Sequence, residues 1–238
     1  MEYYDSNMHF TVGRTFNVFQ KSYLSPDTNL SVLEIGSQNF NGGLRDFKMP
    51  NLEWQGIDIE AGPGVDTVVQ IGSSFPFENA TFDLVVCSSV FEHDIRFWNT
   101  FLEMARVTKP QGVLLLIMPS QGLFHRYPLD AFRFYPDAGI ALEKWADSQG
   151  FATKLVESFT TKPENDTWAD FVTIFSESPN NFTDRLIGEE LMGENWIIQG
   201  ELQTSTFQEL PYELRKIKEL EDRISSMRLK LQEFLLEI

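Results

Sequence analysis

Short apolar runs alternate with amphipathic stretches between residues 31 and 175. The runs fall at 31–35, 54–58, 67–70, 82–87, 112–118, 152–159 and 170–175, and helical patterns fall near 44–47, 97–107 and 137–149. Runs of strand length separated by helical stretches predict an α/β domain. Its sheet is expected to be mostly parallel and seven-stranded, with helices on both faces. Two boundaries are legible. Lys109-Pro110-Gln111-Gly112 stops a helix with a turn before the most apolar strand, and Gly150 ends the next helix.

The flanks differ in character. Residues 1–28 carry aromatics at Tyr3, Tyr4, Phe10, Phe16, Phe19 and Tyr23 and read as a short helical segment able to act as a lid. Residues 29–176 form the expected α/β domain. Residues 177–210 are polar and weakly periodic and read as a linker. In 211–238, Ile217, Leu220, Ile224, Met227, Leu231, Phe234 and Ile238 follow one another at alternating spacings of three and four. That is an a/d seam, which predicts a coiled-coil-like helix, a contact to a second copy or to a partner. Packing of that helix on its own domain is the alternative.

Composition narrows the function. The net charge is −16 and no long basic run occurs, which argues against a nucleic-acid partner. Cys87 is the single cysteine, so an intrachain disulfide is excluded, and it lies in an apolar run as a small buried hydrophobe would. The N-terminal residues lack a signal-peptide pattern and the longest apolar run, 113–118, is too short to span a bilayer. A cytoplasmic location without membrane insertion is the expectation.

The chemistry begins at 31–43, a strand, a Gly-containing turn and a helix start. Gly36 permits close approach of a ligand to the backbone, and Glu34 can accept hydrogen bonds from a cationic or hydroxylated group. Asp58 closes the second strand, where a carboxylate can bind both hydroxyls of a ribose. A dinucleotide needs Gly-x-Gly-x-x-Gly at the turn, because its pyrophosphate lies against the helix start. Gly36-Ser37-Gln38-Asn39-Phe40-Asn41 has no second glycine in register, which counts against NAD and FAD.

This order of segments, above all Phe75-Pro76-Phe77 through Phe91-Glu92-His93, resembles the class I S-adenosylmethionine-dependent methyltransferases, Rossmann-like enzymes, and within them the type 11 group. The glycine-poor first loop departs from that pattern. The resemblance implies S-adenosylmethionine as cofactor, with Glu34, Gly36, Ser37 and Gln38 by its methionine part. It places Asp58 on the ribose, Ile59 with Ile71, Gly72 and Ser73 around adenine, and Ser88 and Ser89 facing the sulfonium. Residues 119–137 resemble the His-x-x-Pro-x-Asp-x-x-Arg pattern of methyltransferases encoded with glycan-assembly enzymes. They imply O-methylation of a sugar or glycan hydroxyl, with Arg126, Tyr127, Asp130 and Arg133 on the acceptor. A small phenolic or lipid-linked acceptor, and a non-catalytic assembly module, remain open.

A sugar hydroxyl is a poor nucleophile at neutral pH, so a general base within reach is expected. His125 is the first candidate, with His93 and Asp94 close behind, while His9 reads as structural. Glu92-His93 matches half of a Glu-x-x-Glu-His metal motif of ubiquinone-biosynthesis O-methyltransferases, but Ser89 stands where the first acid would be. Two ligands and Asp94 are thin for Mg2+, so no metal is expected.

Overall fold

In this computed structural model the described residues are 10–40, 42–126, 128–162, 168–191, 194–202 and 212–236. His9 and Tyr127 lie outside them. The chain divides into two units, Met1–Thr204 and Ser205–Ile238.

In the first unit, strands β1 (Leu30–Ile35), β2 (Leu52–Asp58), β3 (Thr67–Val68), β4 (Phe82–Ser88) and β5 (Thr108–Gln121) pair in parallel. β6 (Lys154–Thr160), β7 (Ala169–Ser176), β8 (Glu194–Ile198) and β9 (Glu201–Leu202) join through antiparallel pairs. The order is β3-β2-β1-β4-β5-β7-β6-β8-β9. The sheet is therefore mixed and nine-stranded, not seven-stranded as the apolar runs predicted.

The period of two along each strand divides the core. Val32, Leu84, Val86, Leu115 and Ile117 face one side and pack with Val12, Phe16 and Phe19 of helix α1 (Phe10–Tyr23). Leu33, Val85, Cys87, Leu114 and Leu116 face the other side. They pack with Phe101 and Met104 of α2 (Phe97–Val107) and with Leu142 and Ala146 of α3 (Asp137–Ser148). Helices on both faces follow from this alternation. Cys87 is fully buried and burial pushes its thiol pKa well up, as befits a packing residue.

Three expectations need correction. The helix-like stretch at 44–47 is a 3-10 turn, Leu44–Phe47, so no α-helix opens after the first loop. Lys109-Pro110-Gln111-Gly112 is not a separate turn, because β5 starts at Thr108 directly after α2. Residues 177–210 are not simply a linker. β8 pairs with β6, and β8 and β9 meet at Gln199-Gly200, both with positive φ as a tight hairpin turn requires.

The buried carboxylate of Glu157 on β6 explains why that segment stays. It accepts hydrogen bonds from the Tyr23 hydroxyl (2.8 Å), the Ile187 amide (2.8 Å), the Gly188 amide (3.1 Å) and the Trp196 indole (2.8 Å). The same interaction ties α1 down. Over Phe10–Tyr23 the expected lid segment is a helix whose apolar face packs into the core.

In the second unit, α4 spans Tyr212–Leu236, close to the expected 211–238. Its Ile217, Leu220, Ile224 and Met227 are exposed, while the side chains of Leu231 and Phe234, and Ile238 altogether, lie outside the described residues. Among the described residues no helix is long and apolar enough to cross a membrane.

Candidate active site

From β1 the chain crosses to β2 and β3 on one side and to β4 and β5 on the other. The loops leaving β1 and β4 therefore diverge, and a crevice opens at the carboxyl ends of the strands. The sequence-selected residues collect there. Gly36 takes φ +75°, and a Cβ on it would lie 2.1 Å from Val90 Cγ2, so only glycine fits under the loop after β4. The Gly36 and Ser37 amides both donate to the Ile57 carbonyl, which pins the turn to β2. Ser37 is buried, and its hydroxyl has no hydrogen-bond partner.

Asp58 stands at the tip of β2, where its Oδ2 accepts the Gln38 amide (3.0 Å) and its Oδ1 the Ile59 amide (2.6 Å). It remains partly exposed. Ile59 and Ile71 are exposed apolar side chains, and the Ser73 hydroxyl closes its own turn on the Gln70 carbonyl. Arg96 was not foreseen. Its guanidinium lies over Gly72 and donates to the Ile71 carbonyl (3.1 Å). Ser88 ends β4 and Ser89 follows it, with Ser89 at φ +53° and its amide donating to the Ile117 carbonyl.

Glu34 is not open to a ligand as the sequence implied. It is 6% exposed, accepts the Trp54 indole N–H at 2.8 Å, and bonds the Leu44 amide. Burial raises its pKa to about 7, against the lowering effect of those donors.

The second group of residues sits past β4 and β5. The Ala131 amide donates to the Glu92 carbonyl and the Phe134 amide to the Pro119 carbonyl, so loop 119–137 is fastened over the strand ends. Inside it, Arg133 forks onto Asp130, with Nη1 to Oδ1 at 2.5 Å and Nη2 to Oδ2 at 2.9 Å. Arg133 also donates to the Phe132 and Leu123 carbonyls. Asp130 further accepts the His125 amide at 2.8 Å, and the Arg133 partnership holds its carboxyl far below the usual range. Expected on the acceptor, Asp130 and Arg133 instead face each other, because a buried carboxylate needs a paired cation. Arg126 is exposed, and no described residue holds it in an ion pair or hydrogen bond.

The three candidate bases separate. Asp94 accepts the Arg96 amide at 2.8 Å and the Thr100 hydroxyl, so both oxygens are engaged at the turn into α2. His93 and His125 come together from different loops, with rings 5.2 Å apart. The His93 Nδ1 bonds the Leu129 carbonyl, and the His125 Nδ1 bonds the Leu123 carbonyl at 3.0 Å. Both bonds leave Nε2 as the open nitrogen. Burial lowers the pKa of His93.

Trp168 stacks edge-on to His125 at 5.6 Å. Gly122 is the signal that could have announced it, since a Cβ there would lie 2.1 Å from that indole ring. Glu92, which the sequence pairs with His93 as half of a metal motif, is buried and lies with the two histidines. One ligand atom from each of the three falls within 4.8 Å of the others.

A solved protein from Pyrococcus horikoshii is 15% identical, covering 73% of this chain and 94% of that one at a TM-score of 0.47. A SAM-dependent methyltransferase from Aquifex aeolicus is 13% identical, covering 69% and 87% at 0.44. The 1,6-didemethyltoxoflavin-N1-methyltransferase of Burkholderia thailandensis, solved with S-adenosylhomocysteine, is 10% identical, covering 68% and 76% at 0.49. No curated protein matches in sequence. The family model described as "Methyltransferase domain" matches residues 46–116, from the 3-10 turn through β2 and β4 into β5. The chain is a methyltransferase that uses S-adenosylmethionine. In this methyltransferase Asp58 and the segment 75–93 lie inside the matched span, whereas Glu34, Gly36 and loop 119–137 lie outside it.

Proposed function

We propose that this methyltransferase acts on a hydroxyl of a sugar or glycan, with its cofactor held at the ends of β1, β2 and β4. The cradle fits S-adenosylmethionine in its chemistry. The buried, unpartnered Ser37 hydroxyl, the side-chain-free Gly36, the carboxylate of Asp58 and the apolar pair Ile59 and Ile71 match a polar amino-acid part, a ribose and an adenine. Gln38 lines the same turn, Gly72 and Ser73 border the base, and Ser88 and Ser89 stand towards the acceptor. When bound, S-adenosylmethionine supplies a methyl carbon on a sulfonium that departs with the C–S electron pair.

The observation that carries the acceptor reading is the convergence of His93 and His125, with Phe124, Arg126 and Tyr135 exposed on the same loop that carries His125. Aromatic faces can stack on sugar rings, and a guanidinium can bind hydroxyl or phosphate oxygens. Tyr127 belongs to the same loop. Each imidazole presents Nε2, and the lowered pKa of His93 keeps it neutral near pH 7, ready to accept the hydroxyl proton as the O–C bond forms. Asp130 and Arg133 act on this site by fixing the loop that carries His125.

A second reading has its own support. A cavity of about 350 Å³ lies between α2 and α3, lined by Phe97, Trp98, Phe134, Ala138, Leu142 and Trp145 among others. It suits an apolar tail or a phenolic ring, as a lipid-linked or phenolic acceptor would bring. A methyl-donor assay across sugar nucleotides, free glycosides and phenols separates the two readings.

Cofactor binding is tested by calorimetric titration with S-adenosylmethionine. Replacing Asp58→Ala removes hydrogen bonds to a charged acceptor, each worth about 1.5–3 kcal/mol, so affinity should fall roughly tenfold or more. Equal affinity in the variant would overturn the placement of the ribose.

A further inference from the structure

The geometry points to a divalent-metal site formed by Glu92, His93 and His125, suited to a borderline first-row ion such as Zn2+ or Co2+ and not to Mg2+.

Four observations converge on it. First, one ligand atom from each residue lies within 4.8 Å of the others, and Glu92 Oε1 is already 3.7 Å from His93 Nε2. A tetrahedral ion with ligands at about 2.0–2.2 Å holds its donors roughly 3.4 Å apart, so side-chain rotations of about 1 Å close the set. Second, Glu92 is 1% exposed and its Oε2 has no hydrogen-bond partner. A buried carboxylate oxygen left unpaired is costly, and an ion supplies the missing interaction.

Third, both rings are arranged as metal ligands are. Each Nδ1 is held by a main-chain carbonyl, Leu129 for His93 and Leu123 for His125, and Asp130 Oδ2 stands 3.5 Å from the His125 Nδ1. Donation of one ring N–H to a carbonyl or carboxylate fixes the tautomer and aims the Nε2 lone pair. Fourth, Asp130 and Asp170 act on Glu92 electrostatically against Arg133, so carboxylates outnumber the nearby cation. Two imidazoles with one carboxylate favour Zn2+, Co2+ or Fe2+, whereas Mg2+ takes oxygen donors.

Three protein ligands leave a fourth position for water or an acceptor oxygen. An ion there would acidify a coordinated acceptor hydroxyl, whose proton would pass to solvent, and the base role given to the histidines above would then hold only for the metal-free chain. Only this use of the ion rests on the hydroxyl-acceptor reading; the site itself does not.

The test is titration of the full chain, stripped of metal with a chelator, with ZnCl2, CoCl2 and MgCl2 separately. We expect one Zn2+ per chain, a visible Co2+ absorption band of low-coordinate type, and no comparable Mg2+ binding. His125→Gln and Glu92→Gln should each weaken Zn2+ at least roughly tenfold while circular dichroism stays that of the parent. His9→Gln should leave binding unchanged. Absence of stoichiometric Zn2+ and Co2+ binding by the parent chain overturns the site, as does loss in His9→Gln with retention in His125→Gln. Zn2+ binding without transfer to any hydroxyl acceptor keeps the site and removes the acceptor reading.

Discussion

Glu34 shows what a single buried carboxyl does to this protein. Its ordinary pKa of 4.5 rises to about 7 because burial disfavours the charged form. The folded chain therefore binds a proton between pH 4.5 and 7 that the unfolded chain has lost. Stability from this group is full below pH 4.5 and is lost as pH rises through 7, a difference on the order of 3 kcal/mol. Glu34→Gln keeps an acceptor for the Trp54 indole and should flatten this part of the profile. Urea unfolding of parent and variant between pH 5 and 8 checks it, and parallel profiles would refute it. Gly36 sets the opposite kind of constraint. Gly36→Ala places a methyl 2.1 Å from Val90 Cγ2 and forces alanine to positive φ, which alone costs about 1–2 kcal/mol. The variant should unfold earlier in urea. Adding Val90→Ala should recover only the part due to the clash.

At the scale of elements, Glu157 joins α1, the loop at 186–188 and β8 to β6 through four donors. Glu157→Ala leaves a buried hydroxyl, two amides and an indole without their acceptor. We expect a loss of about 3 kcal/mol or more, with amide exchange rising first in β8 and in α1. Exchange that rises evenly over the whole sheet would show that β8 is not a separately anchored element. Loop 119–137 is fixed in the same manner by Asp130 and Arg133, so a charge pair that sequence alone assigns to the acceptor instead shapes the element that presents His125.

At the scale of the whole molecule, α4 stands as a unit of its own with four exposed apolar side chains at coiled-coil spacing. Such a stripe is stable in water once another helix covers it. The full chain is expected to run as a dimer or higher oligomer in light scattering, and a chain ending before Pro211 as a monomer with the same circular dichroism per residue in its sheet. A monomer in both cases would refute pairing through α4.

The sequence by itself determined the places of β1 to β7 and of helices α2 and α3, the burial of Cys87, and the placing of Gly36, Asp58, Ser88 and Ser89 at strand ends. Those follow from local periodicity and from strand termini, which neighbouring residues encode. It missed β8 and β9, because Trp196-Ile197-Ile198 is too short a run to stand out from its polar surroundings. Only the tertiary structure decided which polar residues face each other. The pairing of Asp130 with Arg133, the inward turn of Glu34 and the meeting of His125 with Glu92 and His93 depend on where separate loops are fastened. Spacing along a chain carries no record of that.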